Sequence, residues 1–420
     1  MSTQGDQTMN LLNEAARRYP EAISFLAGRP PQAHVSALHA GAWLAHFIER
    51  TATSPNDEAI RWTDAGQYSD TSGTIRETAA EYLRRSGLPM ATARACAVTN
   101  GAQEAFAMCL AGLVSRDGVA FTSDPCYIGF SGAARVLSIA LECTADDGNF
   151  IDRLHERLVA GRPPVACVYV IPDFSNPGAQ VMSLADRERL LALASTYEFT
   201  IIEDAAYRYY RFSGTALPTI KSLDRDGHVV YVESFAKTVL PGLRVAVMFA
   251  DRQDAQGVTL ADRLSWIKSY LSVATSPITQ GMLAGLLMQQ DYRLEHWVAP
   301  RVDEVRRNCE RMCEALEREL APLRASGIAW RKPEGGFFLT IDLPFVFDTE
   351  GFLDCARDDG VLAMPMQLFS TMGRGCNQMR LAFSNVSPAS IDAGVARLSR
   401  FIARRCEATR PEMRASPSPS

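Results

Sequence analysis

The feature that most constrains the fold is an alternation of apolar, β-rich runs with helical stretches between about residues 95 and 250. Most of the runs are continuously apolar, which is typical of strands in a sheet that is covered on both faces. The segment 183–198 between two of them carries a helical stripe of apolar residues and has Ser183 as its N-cap. The predicted strands occupy residues 118–123, 165–172, 199–204, 228–234 and 244–250. Strands that alternate with helices predict an α/β domain with a mostly parallel sheet.

The pattern changes from about residue 290 onward. Residues 299–320 form one long, charged amphipathic helix, and short strands and a final helix at about 388–405 follow. This indicates a second, smaller α+β domain. The predicted division is an N-terminal arm with part of the small domain at 1–45, a large domain at 46–290, a small C-terminal domain at 291–408, and a Pro/Ser-rich, disordered tail at 409–420.

Composition excludes several classes of partner for this chain of 420 residues. A net charge of −5 and a pI of about 5.8 give no reason to expect nucleic acid or an anionic membrane. The ten cysteines are scattered, and Cys309 and Cys313 are read as a pair on a helix, because no histidine cluster joins them to make a zinc site. Free thiols, no signal-peptide pattern and no apolar run of the ~18–20 residues that span a bilayer predict a cytoplasmic protein.

Lys237 is an unusual lysine, because it lies in the apolar stretch 232–247, with Ser234 three residues before it and Arg244 seven after it. Taking an unpaired ammonium group out of water is costly. Either the side chain extends along apolar surface with its amine in water, or the amine takes part in chemistry.

Polar residues at the ends of the predicted strands support the second interpretation. Ligands of such sheets bind at the carboxyl ends of the strands, and the start of a helix can bind phosphate through its free N–H groups. The residues in such places are Asp204 and Tyr207 after one strand, Asn176 after another, Tyr127 after a third, and Gly101, Ala102 and Gln103 at the start of an apolar-striped helix.

Together these groups suit pyridoxal 5'-phosphate. Lys237 would form the Schiff base with its aldehyde, and Asp204 would pair with the pyridine nitrogen. Arg244 suits the phosphate because its planar fork matches phosphate oxygens. The remaining assignments are Gly101, Ala102, Gln103 and Ser234 to the phosphate, Asn176 and Tyr207 to the 3'-oxygen, and Tyr127 to a stacking position on the ring.

At this point the sequence resembles the class I/II aminotransferases, which are fold-type I pyridoxal-phosphate enzymes. The matching segments run in order over nearly the whole chain: AISFLAGRPP, YSDTSGTIRETAAEYL, TNGAQEA, DPCYIGF, PDFSNPG, IIEDAAY, SFAKTVLPGLR, EGGFFLTIDLP and MRLAFSNVSP. The resemblance implies a homodimer in which Tyr68 reaches the phosphate of the neighbouring subunit. It also implies that Arg380 binds the α-carboxylate of the substrate and that the segment with Gly28 and Arg29 lines the substrate site.

Several positions depart from the family pattern without removing a cofactor ligand. Ser175 and the Gly178-Ala179 pair flank the turn after Asn176, where the family has other residues, and Ala246 and Met366 stand where glycine is usual. Arg29 stands where small or apolar residues are commoner, which suggests either a substrate with a distal anionic group or a structural arginine.

Transamination between an amino acid and a 2-oxo acid is the reaction predicted. The alternative keeps the cofactor and uses the same Cα carbanion for elimination, replacement, C–C bond formation, cyclisation, decarboxylation or oxidation in secondary metabolism.

Two other classes of protein fit the sequence poorly. The S-x-x-K pattern at Ser234 lacks the partner motifs of penicillin-binding proteins. An effector-binding transcription regulator would need a basic helix-turn-helix domain at the N-terminus, and the family-like sequence already begins by about residue 23, so no such domain is expected. Structural roles also remain open: a strand-end cap for Asp204, core packing for Tyr127, a turn for Asn176, and a surface ion pair for Arg380.

Overall fold

The structure is a computed structural model that describes residues 14–36, 38–52, 65–145 and 147–414. The first residues of the chain, on which the signal-peptide prediction depends, and residues 415–420 of the predicted tail lie outside this part. Within the described ranges, no helix is both long enough and apolar enough to cross a membrane.

The strands form three sheets. In chain order they are β1 (Ile23–Ser24), β2 (Cys96–Thr99), β3 (Val119–Asp124), β4 (Leu141–Ala145), β5 (Val165–Val170), β6 (Thr200–Asp204), β7 (Val229–Ser234), β8 (Ala246–Phe249), β9 (Ala329–Trp330), β10 (Phe338–Asp342), β11 (Val361–Leu362), β12 (Met364–Pro365) and β13 (Gln378–Ala382). All five strands predicted from the sequence are present, within a few residues of the expected bounds.

The helices lie mainly between the strands. They are α1 (Gln32–Ser36), α2 (Ala40–Thr51), α3 (Arg76–Arg85), α4 (Ala102–Leu113), α5 (Ile128–Val136), α6 (Phe150–Ala160), α7 (Leu184–Tyr197), α8 (Ile220–Leu223), α9 (Phe235–Thr238), α10 (Leu260–Leu271), α11 (Pro277–Gln289), α12 (Glu295–Leu320), α13 (Thr349–Asp354) and α14 (Pro388–Arg414). Short 3-10 turns occur at Ala93–Ala95, Pro241–Leu243, Ala321–Ser326 and Met366–Phe369, and a π turn follows α13 at Cys355–Asp359. The predicted N-cap of α7 is confirmed, because the Ser183 side chain accepts a hydrogen bond from the Asp186 N–H.

The large sheet has seven strands in the order β2-β8-β7-β6-β5-β3-β4. Only β8 runs antiparallel to its neighbours, so the prediction of a mostly parallel sheet is confirmed. Successive residues of a strand point to opposite faces. Accordingly Ile202 packs with Phe106 of α4 and Leu264 of α10, whereas Ile201 packs with Leu154 of α6 and Leu190 of α7. Helices therefore cover both faces, which explains why the strands are continuously apolar.

The smaller antiparallel sheet has the order β12-β13-β10-β9, and β1 pairs with β11 in a separate two-stranded sheet. The long helix predicted at 299–320 is present as α12, which begins earlier, at Glu295, and carries both Cys309 and Cys313. It packs with α14 around a core that also includes β10 and β13. Helix α14 extends to Arg414 and so enters the segment that was expected to be a disordered tail. The domain boundaries themselves remain predictions.

Candidate active site

The polar residues singled out in the sequence meet at one edge of the large sheet. Strands β3, β5, β6 and β7 are parallel neighbours, so their carboxyl ends lie side by side at this edge. Asp204 is the last residue of β6, and the 235–238 turn that carries Lys237 begins directly after β7.

Lys237 projects into this edge from the short helix α9. The helix begins at Ser234, whose side-chain oxygen accepts a hydrogen bond from the Ala236 N–H at 3.3 Å. The Lys237 Nζ donates to the Gly28 carbonyl at 2.8 Å, and the Tyr210 hydroxyl donates to the Lys237 carbonyl at 2.7 Å. Burial, aided by nearby guanidinium groups, lowers the pKa of Lys237 to about 8, although Asp204 opposes the shift. This amine can therefore lose its proton near neutral pH.

Asp204 is a buried carboxylate whose two oxygens are both held. Its Oδ2 accepts a hydrogen bond from the Tyr169 hydroxyl at 2.8 Å, and its Oδ1 accepts one from the Ala206 N–H at 3.1 Å. Burial raises the pKa of Asp204 to about 6, while these two bonds and Lys237 lower it. The carboxylate is thus mostly ionised at neutral pH, as a partner for a protonated pyridine nitrogen must be.

Gly101 and Arg244 form an anion cradle at the start of α4. Gly101 has a φ of +76° and is the N-cap of α4. A side chain there would collide with the Arg244 guanidinium, which lies against Gly101. Arg244 Nη2 has a long contact of 3.5 Å with the Asn100 carbonyl, and the described residues give it no ion pair. The free N–H groups of Ala102 and its neighbours, together with this cation, suit a phosphate.

Gln103 joins the cradle by its position on α4, but its side chain is already occupied. Its Nε2 donates to the Gly129 carbonyl at 2.6 Å, which ties α4 to α5. A phosphate in the cradle would therefore be bound by the backbone N–H of Gln103 and not by its side chain.

Three further predicted residues surround Lys237 and Asp204. Tyr127 is the N-cap residue of α5, and its ring lies edge-on to Phe106 at 6.4 Å. The ring of Tyr207 is 5.9 Å from Lys237 Nζ, and the Tyr207 hydroxyl hydrogen-bonds Asn176. The structure thus brings Tyr127, Asn176 and Tyr207 to the same edge of the sheet as Lys237.

Arg380, on β13, is a buried guanidinium to which the described ranges of the chain supply no acidic partner. It is 3% exposed; its Nη1 donates to Asn176 Oδ1 at 2.7 Å and its Nη2 to the Leu26 carbonyl at 2.5 Å. Its Nε has no hydrogen-bond partner in the described part of the chain. Burial lowers the pKa of Arg380 to about 9. The interpretation of Arg380 as a surface ion pair is therefore wrong, and the arrangement suits an incoming carboxylate.

Of the residues predicted to lie near the substrate, Gly28 contacts Lys237, whereas Arg29 and Tyr68 are exposed. Gly28 supplies the carbonyl that binds Lys237, and a side chain at Gly28 would collide with the Phe338 ring. Arg29 is exposed, yet its charge still helps to lower the pKa of Lys237. Tyr68 is 87% exposed, and within the single chain the structure does not bring it to the Lys237 cluster. A cavity of about 510 Å³ adjoins the cluster and is lined by Tyr127 and Asn176 among others.

Sequence reasoning missed Tyr169, Phe338 and Phe369. The rings of Phe338 and Phe369 lie 4.0 and 4.6 Å from the Arg380 guanidinium carbon. Tyr169 is within reach of Asp204 because it pairs with Ile202, which points to the same face as Asp204. The β5–β6 register would have located Tyr169, but nothing local in the sequence gives that register.

Comparison with known proteins identifies the class. A profile of the family "Aminotransferase class I and II" matches residues 48–398. The chain is 38% identical over 410 residues to (S)-3,5-dihydroxyphenylglycine transaminase of Amycolatopsis orientalis, covering 95% of this chain and 92% of the relative. It is 31% identical over 349 residues to aromatic-amino-acid aminotransferase 1 of Thermococcus litoralis, covering 80% and 79%. The solved multiple substrate aminotransferase from Thermococcus profundus superimposes with a TM-score of 0.81 at 25% identity, covering 97% and 96%.

The chain belongs to the class I and II aminotransferases. It is a pyridoxal-phosphate-dependent aminotransferase, and the family, fold class, cofactor and reaction predicted from the sequence are confirmed. The residues present also fit the cofactor. The cradle at Gly101 would be filled by a side chain, and Arg380 and Arg244 are cations without acidic partners among the described residues.

Proposed function

We propose that Lys237 is the catalytic lysine of this aminotransferase and that one of its substrates is an amino acid with an aromatic side chain. The observation that carries the first part is a buried amine with a pKa near 8, which lies 5.9 Å from the centre of the Tyr207 ring and within electrostatic reach of Asp204. The second part is supported by the aromatic walls at Phe337, Phe338 and Phe369. Two relatives are also named for aromatic substrates.

Each residue of the site would have a defined task. Pyridoxal 5'-phosphate supplies an aldehyde that captures an amine and a ring that delocalises the electron pair left at Cα. Lys237 would bind that aldehyde in the resting enzyme and, once displaced by the substrate amine, would take the proton from Cα as general base. A pKa near the working pH suits this task, because the amine must both accept and return a proton.

The other side chains would orient the reactants. Asp204 would keep the pyridine nitrogen protonated, and Arg380 would hold the α-carboxylate through two parallel hydrogen bonds. Tyr127 would cover one face of the ring, while Asn176 and Tyr207 would donate to its 3'-oxygen. The phosphate would be bound by Gly101, Ala102, Gln103, Ser234 and Arg244.

We further propose that Arg29 recognises a distal carboxylate on one of the two substrates. Arg29 is exposed and close enough to Lys237 to influence its pKa, so a substrate bound at Lys237 would be within its electrostatic reach. An Arg29→Met variant is expected to lose its preference for acidic over neutral substrates. An unchanged preference would leave Arg29 with a structural role only.

We also propose a cytoplasmic homodimer with active sites at the subunit interface. All ten cysteines are free, which suits a reducing compartment. Exposed aromatic and aliphatic side chains lie along and just after α10, and Asn100, beside the cradle, donates to Ser272 Oγ of this segment at 3.0 Å; they are Trp266, Tyr270, Leu271 and Val273. Ser69 donates to the Thr275 carbonyl at 3.1 Å, which ties the Tyr68 segment to this cluster. Covering the cluster with a second copy would bring Tyr68 beside the partner's cradle.

Mixing two inactive variants tests the shared site. Tyr68→Ala and Lys237→Ala homodimers should both be poorly active. When the two variants are unfolded and refolded together, they should form hybrid dimers. One site of each hybrid has Lys237 from one chain and Tyr68 from the other, so it contains both native residues and activity should return. No recovery, or a monomer in sedimentation, would contradict the dimer proposal.

The reaction itself is tested by visible absorption without oxygen. The holoenzyme band should disappear when one aromatic amino acid is added and return when a 2-oxo acid follows. Lys237→Ala should bind the cofactor without covalent attachment and should not release the oxo acid. A band that changes only with oxygen, or that gives a persistent long-wavelength species, would contradict transamination of that amino acid.

A further inference from the structure

We propose that Tyr169 is a positioning residue that keeps the Asp204 carboxylate ionised and aimed at the pyridine nitrogen of the cofactor. The inference rests on the role proposed above for Asp204. Tyr169 was not among the residues singled out from the sequence, and among the residues that the structure describes its side chain makes one hydrogen bond, to Asp204.

The register of the sheet places the two groups together. Tyr169 pairs with Ile202 across β5 and β6, and Asp204 lies two residues after Ile202 on the same face. The Tyr169 hydroxyl donates to Oδ2 of Asp204 at 2.8 Å, while the Ala206 N–H donates to Oδ1 at 3.1 Å. With one donor on each oxygen, the carboxylate has a fixed plane, and each oxygen keeps a lone pair for a further donor.

The tyrosine ring is itself held rigidly. It is 2% exposed and stacks on Phe130 with a centroid distance of 4.0 Å and an interplanar angle of 7°. Phe106 meets it edge-on at 5.2 Å. Because packing fixes the ring on two sides, its hydroxyl reaches Asp204 without further ordering, and the same Phe106 also contacts Tyr127. One aromatic cluster therefore supports both the stacking residue and the carboxylate.

The Tyr169 hydroxyl acts on the pKa of Asp204 in the opposite sense to burial. A phenol O–H can donate to a carboxylate, which favours the ionised form, whereas burial favours the neutral form. The pKa of Asp204 is already raised to about 6 by burial, with the Tyr169 bond as the largest opposing influence. Without that bond, a substantial share of Asp204 would be protonated at neutral pH and would no longer accept the pyridine N–H.

The experiment compares Tyr169→Phe with Phe130→Leu in cofactor-free and cofactor-loaded protein. Tyr169→Phe removes the hydroxyl and keeps the ring; Phe130→Leu removes the stack and keeps the hydroxyl. The Asp204 titration is followed by the infrared carboxyl band, assigned by its loss in Asp204→Asn. Cofactor affinity is measured from pH 5 to 9 by quenching of intrinsic fluorescence.

In Tyr169→Phe, the Asp204 midpoint should rise by about one pH unit. Cofactor affinity should fall by about twofold at pH 7 and by about tenfold at pH 5, where the ionised share of Asp204 changes most, and it should recover at pH 9, where the carboxylate is ionised in any case. Phe130→Leu should lower the thermal midpoint but leave the Asp204 midpoint in place. The same shift in both variants, or no shift in Tyr169→Phe, would overturn the inference.

Asp204→Asn separates this inference from the proposed function. If Asp204→Asn changes cofactor affinity and its pH dependence while Tyr169→Phe does not, the role of Tyr169 is refuted and that of Asp204 stands. If Asp204→Asn leaves both unchanged, the role proposed for Asp204 is refuted and the inference about Tyr169 falls with it.

Discussion

Replacing Arg380 by methionine should stabilise the substrate-free enzyme while disabling it. Arg380 is buried, and its pKa is lowered from 12.5 to about 9, chiefly by desolvation. At 1.36 kcal/mol per unit, this corresponds to a burial cost of about 5 kcal/mol. Because the pKa is lower in the folded chain, the whole cost is present below pH 9 and is relieved only as the pH rises toward 12.5.

Neighbouring groups offset part of that cost. The Phe338 and Phe369 rings lie over the guanidinium at 4.0 and 4.6 Å and contribute about 1–2 kcal/mol together. Hydrogen bonds to Asn176 and the Leu26 carbonyl contribute about another 1–2 kcal/mol. A net cost of about 1–3 kcal/mol remains, and a methionine of similar length would remove it.

The same substitution removes the partner proposed for the substrate carboxylate. Truncating one side of a desolvated, hydrogen-bonded charge pair costs about 2–5 kcal/mol. We therefore expect kcat/KM of Arg380→Met to fall by about 30- to 5,000-fold. Arg380→Lys keeps the charge and loses the planar fork, so it should fall in activity without gaining stability.

The assay pairs urea unfolding of the holoenzyme without substrate with steady-state kinetics of the same preparations. The expected result is a higher urea midpoint and a much lower kcat/KM for Arg380→Met. A midpoint that falls, with kcat/KM near that of the wild type, would show that Arg380 stabilises the fold and does not bind substrate.

Three further outcomes follow from the site. Gly101→Ala should weaken cofactor binding by about 10- to 100-fold with the fold retained, because the new methyl group displaces Arg244; fluorescence titration measures this. Lys237 has a folded pKa of about 8 against 10.5, so its burial cost is full below pH 8 and fades toward pH 10.5. Cofactor-free Lys237→Met should be more stable than wild type at pH 7, and the difference should shrink by pH 10 in urea unfolding. The pKa of Asp204 is raised from 3.8 to about 6, so cofactor-free Asp204→Asn should gain stability above pH 6 and lose that gain as the pH falls toward 4, measured in the same way.

The sequence revealed the parts of the fold that depend on local pattern. Continuous apolar runs located the strands, and the side-chain cap at Ser183 located a helix start, because both signals lie within a few residues. The reversed direction of β8 was not foreseen, because its composition is that of its parallel neighbours and only pairing distinguishes them.

The same division holds at the site. Asp204 and Lys237 follow strands and were found, as was Arg380 through the family resemblance. Tyr169 and Phe369 were not. The Tyr169 contact joins residues 35 positions apart, and Phe369 meets Arg380 through the packing of a 3-10 turn against β13. The burial of Arg380 depends on tertiary packing around β13, which the sequence near residue 380 does not indicate.

The reversed direction of β8 affects the spacing between two side chains of the site, Lys237 and Arg244. Ser234 and Ala246 are directly opposite each other, and the Phe235 N–H closes the intervening loop on the Val245 carbonyl at 3.2 Å. The chain thus leaves the sheet and returns to it at the same edge, with Lys237 and Arg244 on the one connection between. The length of that loop therefore sets the spacing between the Lys237 amine and the Arg244 guanidinium. An inserted or deleted residue between the two should change that spacing without altering the composition of β7 or β8.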